Sequence, residues 1–376
     1  MKVAIIGGGI AGLTTALALQ KLGMESTVYE RAATIAEVGA GIWLQPNAMF
    51  VMAWLGLDQE IIRQGCILDR VEITHSNLNP IKKLSSGAVS DRYGNQTVSI
   101  HRGKLQRLLV EACGQQVKIE LGKTYTGHVV HTEGVTIQFE DGQVEADLLL
   151  GADGVKSKVR EQLNLPSIYR HTNQICYRGV SDITLPVALK SKGREVWGDN
   201  RRFGFAEIQE DRVYFFCVLN KTAFPRKMDK AQLAQAYATF DPIVPQIIQQ
   251  SKGLHVTELY DLKRLENWSK GPVCLLGDAA HAMTPNMGQG ACQGIEDAYQ
   301  LSRLLQTHPQ SPEVAFKKFE QRRRKKVDFV VNNSWSFGKM AHHKWGRQLM
   351  KGMMKVTPAM VLEKQMQWLY RMDEVL

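Results

Sequence analysis

Lys2-Val3-Ala4-Ile5-Ile6-Gly7-Gly8-Gly9-Ile10-Ala11-Gly12 is the stretch that decides the fold. Its first five residues are an apolar run of the kind that forms a strand buried on both faces. The glycines follow at once in the pattern G-x-G-x-x-G, and a helical pattern runs from Leu13 to Leu22 before Gly23 stops it. A second strand, Ser26-Thr27-Val28-Tyr29, ends in Glu30. Each part has a physical task. Gly7 permits a tight turn, Gly9 lets a pyrophosphate approach the backbone, and Gly12 lets helix and strand pack closely. The free N–H groups and positive end of the helix, at Gly9, Ile10 and Ala11, hold phosphates. Glu30, about 20 residues beyond the glycines, is placed to accept hydrogen bonds from ribose hydroxyls. The pattern predicts a dinucleotide-binding βαβ unit; the competing reading is an ordinary glycine-rich turn.

The whole chain bounds what can surround this opening. Its 376 residues suffice for one large core or two modest ones. Hydrophobic content of 44% and charged content of 22% are globular values. No apolar run approaches the about 18 residues needed to span a bilayer, so no stable membrane insertion is expected. The chain starts directly in a strand, without a signal peptide, and a cytoplasmic location is the expectation. The six cysteines (Cys66, Cys113, Cys176, Cys217, Cys274, Cys292) form no C-x-x-C pair and no metal-ligand spacing. They read as buried free thiols suited to a reducing compartment. The net charge of +10 is partly local, in Arg322-Arg323-Arg324-Lys325-Lys326. Phe316, Phe319, Val327 and Val330 surround that run at near-helical spacing, so it reads as the solvated face of a helix. Nucleic-acid or membrane-surface binding is the sharper alternative, and no nucleic-acid module accompanies it.

There is no linker, repeat or low-complexity stretch, so any second domain must be interleaved with the first. Residues 69–100 change character: Arg70 to His75 alternate, and Asn77, Asn79, Pro80, Gly87, Gly94 and Asn95 mark turns. A helix is expected over 103–113, a hairpin at Asp141-Gly142 and a buried strand at Asp147 to Ala152. From about 170 to 260 the pattern is antiparallel, clearest in Arg212 to Val218, with a helix over 230–250. Val273 to Gly277 is one more buried strand, and the remainder is helical. The expected class is α/β. A Rossmann-like domain with a parallel sheet (1–70, 98–165 and 266–310) is interleaved with a mainly antiparallel sheet domain (71–97 and 166–265) and followed by C-terminal helices (311–376). The cleft between the two is a natural ligand site.

Two further motifs follow buried strands. In Gly151-Ala152-Asp153-Gly154-Val155-Lys156-Ser157 a strand runs into Asp153-Gly154 before a helix near Ser157, which turn and cap chemistry would also explain. In Gly277-Asp278-Ala279-Ala280-His281-Ala282-Met283-Thr284-Pro285-Asn286-Met287-Gly288-Gln289-Gly290 a strand runs into a carboxylate. Pro285, Gly288, Gln289 and Gly290 then bring bare backbone up to something before the next helix.

Together and in this order, the three motifs resemble the flavin-dependent aromatic hydroxylases, the single-component monooxygenases of the para-hydroxybenzoate hydroxylase type. The chain looks similar to salicylate- and urate-hydroxylase-like members, over nearly its whole length. The resemblance implies that Gly7, Gly9, Gly12 and Glu30 hold the ADP half of FAD. It also implies that Asp153 and Gly154 lie beside FAD and are linked to NADH or NADPH use, and that Asp278 meets the ribityl chain. Arg102, in His101-Arg102-Gly103-Lys104-Leu105, matches an arginine that contacts the cofactor. Arg31 is either a second ribose-side contact or a surface arginine. In such enzymes NADH or NADPH is a transient reductant of FAD, O2 adds at flavin C4a, and the hydroperoxide passes oxygen to an electron-rich aromatic or heteroaromatic ring.

Since a flavin carries that chemistry, no catalytic side chain is assigned, and no Ser-His-Asp or Cys-His constellation is evident. The end of the helix after Gly290 would aim N–H groups at negative charge on the flavin. His281 reads as packed in its turn. Substrate-binding candidates on the larger sheet are Arg178, Arg202 and Tyr214. An arginine fork suits a carboxylate or urate-like anion. Tyr214 can stack on a ring or bond a hydroxyl, but shares a strand face with Phe216 and Val218 and can equally be core. Arg202 and Tyr214 match the purine site of similar urate hydroxylases, whereas Cys176-Tyr177-Arg178 looks like the salicylate-type enzymes. The tail, with Trp335, Trp345 and Trp368, reads as helices packed on the sheet domain or as a dimer contact in a monomer or homodimer. Met340, Met350, Met353 and Met354 can form a pliable apolar lid. A metal site is not assigned, because the side chains of His342 and His343 diverge on a helix. Open alternatives are a related FAD epoxidase or polyketide/tetracycline-type monooxygenase, and a non-catalytic flavin-binding redox sensor. A flavin halogenase would need a W-x-W-x-I-P signature, and a plain dehydrogenase would leave Asp153 and Asp278 idle.

Overall fold

The computed structural model describes residues 1–35, 39–85, 96–342 and 344–372. The turn signals at Gly87, Gly94 and Asn95, and His343, lie outside the described residues. Two large sheets organise the chain. The first has the order β18 (Ser269–Lys270), β19 (Val273–Leu275), β12 (Leu148–Gly151), β1 (Lys2–Ile6), β2 (Glu25–Glu30), β8 (Lys118–Leu121). All its pairs are parallel except the β18–β19 edge. Ile6 pairs with Gly151, and Gly151 with Leu275, so the three strands that precede the three motifs end side by side. That carboxyl edge is where open α/β sheets bind ligands.

The second sheet has the order β17 (His255–Leu262), β13 (Tyr169–Asp182), β16 (Arg212–Asn220), β15 (Arg201–Gln209), β14 (Lys192–Gly198), β5 (Arg70–His75), β6 (Pro80–Ser85). It is antiparallel except where β5 lies parallel to β14. Alternation gives it two covered faces. Tyr177, Phe203, Phe205, Val213, Phe215 and Cys217 form a core with the helices α6 (Lys230–Ala236) and α7 (Ile243–Gln249). Cys176, Arg178, Tyr214, Phe216 and Val218 look the other way, into a cavity. Two three-stranded sheets complete the β structure of the described residues: β9 (Tyr125–His131), β10 (Gly134–Phe139) and β11 (Gly142–Ala146), and β3 (Gly41–Leu44), β7 (Thr97–His101) and β4 (Cys66–Leu68).

The helices nearest the site are α1 (Ile10–Lys21), α2 (Pro46–Leu55), α4 (Arg102–Cys113), α5 (Lys158–Gln162), α8 (Asp278–His281) and α9 (Gly290–Thr307), with α3 (Asp58–Gln64) behind them. The tail is α10 (Pro312–His342), α11 (Lys344–Val356) and α12 (Ala359–Tyr370). All six cysteines are free, and all but Cys66 are buried. Among the described residues no helix is long and apolar enough to cross a membrane.

Two expectations change. The single helix over 230–250 is two. A capping box of Asp229 and Gln232 starts α6, which ends at Ala236; residues 237–242 turn the chain, and Pro242, with no N–H to continue a helical ladder, stands at the N-cap of α7. The basic run is not simply a solvated face. Arg322 and Lys325 are exposed, but Arg323 and Lys326 are buried. Arg323 Nε donates to Asp297 at 2.7 Å, and its Nη1 meets Glu296. Lys326 bonds Glu296 at 2.6 Å and the carbonyl of Arg371 at 2.6 Å. Two acids of α9 thus turn two of the five basic residues inward, and no local pattern shows a partner that far away in sequence.

Candidate active site

One cavity of about 910 Å³ lies between the carboxyl edge of the parallel sheet, the inner face of the larger sheet and the tail helices. Its walls bring the three motifs together: Gly9, Ile10 and Ala11 from the first, Gly154 from the second, and Asp278, Pro285, Gly288 and Gly290 from the third. Arg102 joins them from the start of α4.

The glycines differ in what they do. Gly7 adopts φ +111°, and a Cβ there would sit 2.5 Å from the Ala152 carbonyl oxygen. A Cβ on Gly12 would sit 2.0 Å from the Gly7 oxygen, so helix and strand meet only because it is absent. At Gly9 and at Gly154 (φ +83°) a Cβ would meet nothing within 4 Å, which leaves bare backbone facing open space. The N-termini of α1 and α9 both reach the cavity, and neither has a side-chain cap, so their first-turn N–H groups are available to an acceptor there. These features fit a ligand with phosphate groups and further polar acceptors.

Glu30, Arg31, Asp153 and Gln289 do not line the cavity. Glu30 clamps the glycine turn, accepting the N–H of Gly8 at 2.7 Å and of Ala32 at 2.9 Å. Arg31 is exposed. Asp153 accepts the N–H of Lys158 at 2.8 Å and of Val159 at 3.2 Å, which is the cap chemistry its position allowed. Its Oδ1 has no partner, and burial raises its carboxyl above the usual range. Gln289 is buried in an amide cluster. Its Nε2 donates to Gln45 Oε1 at 2.6 Å, and Asn47 Nδ2 donates to Gln289 Oε1 at 3.2 Å and to Glu296 at 3.0 Å.

Gln45 and Asn47, which the motif reading passed over, position the third turn. Gln45 Nε2 donates to the carbonyls of Met287 and Gly288 at 3.0 and 3.2 Å. The N–H of Gly288 closes the turn on the Pro285 carbonyl at 2.9 Å, so the turn is held from both sides. Asp297 fixes the other end, accepting the Gly277 N–H at 2.9 Å and meeting His281 Nε2 at 2.6 Å. Burial alone would raise Asp297; His281 and Arg323 outweigh it and hold the carboxyl down at about 2. His281 is therefore the packed residue expected. Asp278 opens toward the cavity while protein surrounds it on other sides. Burial raises its carboxyl, and His281 and Arg102 pull it partly back.

On the sheet side, Arg178, Arg202 and Tyr214 all line the cavity. Arg202 is engaged: Nη1 bonds Glu195 at 2.7 Å and Nη2 bonds Asn286 at 2.5 Å, over the ring of Phe337. Arg178 donates to Thr257 at 3.0 Å and has no carboxylate in ion-pair reach among the described residues. Tyr214 adjoins it; burial pushes the phenol up to about 12 even against the pull of Arg178, so it is a neutral donor at neutral pH. A Cβ on Gly41 would sit 2.3 Å from the Tyr214 ring, so that glycine sets where the phenol stands. Met340, Met350, Met353 and Met354 line the cavity with Phe337.

The family model described as "FAD binding domain" matches residues 1–334. The aurachin C monooxygenase/isomerase of Stigmatella aurantiaca is 33% identical over 366 residues, covering 94% of each chain. The 6-hydroxynicotinate 3-monooxygenase of Bordetella bronchiseptica is 31% identical, over 89% of this chain and 91% of its own. Among solved structures, Klebsiella pneumoniae HpxO complexed with FAD and uric acid superposes with a TM-score of 0.88. It is 26% identical, over 98% of this chain and 96% of that chain. With three glycine turns around one cavity and this match along nearly all its length, the chain belongs to the FAD-binding-domain family and is an FAD-dependent monooxygenase.

Proposed function

We propose that this monooxygenase uses NADH or NADPH and O2 to hydroxylate an aromatic or heteroaromatic ring that carries an anionic group. The observation that carries the proposal is Arg178: a guanidinium without a carboxylate partner among the described residues, in the same cavity as Gly9, Asp278 and Gly288. A cationic fork kept free of acids suits a carboxylate, an enolate or a phenolate of the substrate.

In this reading the parallel-sheet part (1–70, 98–165, 266–310) holds FAD, the larger sheet (71–97, 166–265) holds the ring, and the tail (311–376) closes over both. Gly9, Ile10, Ala11, Gly154, Arg102, Asp278, Gly288 and Gly290 would hold the cofactor. Gly7, Gly12 and Glu30 shape the turn, and Asp153 and Gln289 brace the neighbouring ones. When bound, FAD supplies the redox chemistry between nicotinamide, O2 and ring. The protein supplies position and field. The first turn of α9 favours negative charge beside it. Arg178 orients the ring through its anion, and Tyr214 donates a proton-bearing hydroxyl to a ring oxygen or stacks on the ring. Phe337 and the methionines exclude water from the reacting end. Arg202 positions Asn286 and hence the third turn. Relatives named for hydroxynicotinate and quinolone chemistry support a heteroaromatic ring.

The test is NADH and NADPH consumption by the FAD-loaded protein across phenolic acids, hydroxypyridine carboxylates, purines and quinolones, with product detection. A product with one added oxygen is expected for an anionic ring. Consumption that yields only peroxide with every compound, or a protein that takes up no FAD, would overturn the reading.

A further inference from the structure

The outer face of the two C-terminal helices carries an uncovered apolar strip. Trp345 is 77% exposed, Leu349 58%, Met353 54%, Val356 78% and Met360 65%. Four of these stand on α11 at positions i, i+4, i+8 and i+11, within an arc of about 80°. The inner face of the same helix is also apolar but covered: Met350 packs with Trp197 and Ile73, while Phe337, Met340 and Met354 lean against that cluster. A helix apolar on both sides has something to cover on each.

The charge around the strip narrows what covers it. From Lys339 to Arg371 the sequence holds Lys339, Lys344, Arg347, Lys351, Lys355, Lys364 and Arg371 against one acid, Glu363. Arg347 is engaged by Asp199 and the Gly198 carbonyl, whereas Lys339 and Lys364 are exposed. A second copy joined face to face through this strip would set like charge against like charge. A tryptophan-bearing apolar strip in a lysine-rich setting is complementary to a surface with an apolar interior and anionic headgroups.

We propose that α11 and α12 dock the protein on an anionic lipid bilayer through this strip, with Trp345 at headgroup depth. The docked face adjoins the active site: Met353 is both exposed and part of the cavity wall, beside Thr357 and Leu362. An apolar molecule dissolved in the bilayer then reaches the cavity without crossing bulk water. The docking is peripheral and independent of which ring is oxidised, so it stands or falls separately from the proposed reaction.

The test uses the full-length, FAD-loaded protein in co-sedimentation with vesicles of phosphatidylcholine plus phosphatidylglycerol, and of phosphatidylcholine alone. Binding to the anionic vesicles that weakens with salt is expected. The double variant Trp345→Glu/Leu349→Glu should lower it at least about tenfold while keeping its FAD. Lys364→Gln should lower it about fivefold, the effect of about one basic residue near an anionic surface. Should the double variant lose FAD, quenching by brominated lipid supplies the second readout: Trp345→Phe should remove most of it. No vesicle binding, binding unchanged in these variants, or self-association abolished by Trp345→Glu without any lipid binding would each overturn the proposal.

Discussion

Replacing Arg178 by Ala removes a cavity arginine that faces no acid among the described residues. In the free enzyme it gives up hydrogen bonds to two neutral hydroxyls, those of Thr257 and Tyr214, so the fold should lose about 2 kcal/mol. Toward an anionic ring it gives up a charge-assisted contact of about 1.5–3 kcal/mol, which is a loss of about 10- to 150-fold in kcat/KM. Arg178→Lys keeps the charge and loses the fork, so it should fall between the wild type and Ala. The assay is steady-state turnover of an anionic substrate from the panel, with product formed per nicotinamide consumed, beside a titration of FAD affinity. FAD affinity should stay within about twofold, because Arg178 sits on β13 and its side chain bonds Thr257 on β17 and Tyr214 on β16, within the larger sheet. An unchanged KM and coupling ratio in Arg178→Ala would refute the anchor. FAD loss in that variant would show that the residue supports the cofactor side instead.

Arg202→Ala should behave differently: because Arg202 holds Asn286, both FAD affinity and substrate KM should worsen, which the same pair of titrations reads out. Gly12→Ala should give a protein that does not retain FAD, since its Cβ would lie 2.0 Å from the Gly7 carbonyl and backbone cannot yield there; visible absorbance after purification checks this. Arg323→Met leaves Glu296 and Asp297 buried with less compensation and should cost about 3–5 kcal/mol in denaturant unfolding. Asp297 also predicts an acid limb of stability. Its folded value of about 2 lies below its ordinary 3.8, so the contribution is complete above the ordinary value and is lost as pH falls toward 2. That shift is worth about 2 kcal/mol, to be read from melting temperature against pH.

What local backbone chemistry dictates was legible in the residues. Gly7, Gly9 and Gly12 each show the geometry their spacing implies, because a tight turn, an open approach and a close packing are all demands on one Cβ. The parallel sheet was equally legible, since strands buried on both faces are written as apolar runs. The supports of the site were not. Gln45 and Gly288 stand more than 240 positions apart, and Arg323 meets acids 26 and 27 residues before it, pairings that no period in a single chain records. Tyr214 was undecidable for another reason: both faces of β16 are covered, so alternation separates the two faces without saying which one borders the cavity. The split of the helix over 230–250 was present as Pro242, but hydrophobic residues on both sides carry the helical period across it.

The family match stops at residue 334, yet Phe337, Met340, Met350, Met353, Leu362 and Met366 all border the cavity beyond that point. Cofactor turns and roof are therefore separable along the chain. A swap of everything past residue 334 with the tail of a relative would transplant the ceiling of the chamber, provided that the new tail again sets a ring against Arg202 and carbonyls on Gln174 and Lys326, the ties between ceiling and floor. Substrate repertoire can then diversify by exchanging one terminal segment, without renegotiating the glycine geometry on which the flavoprotein depends.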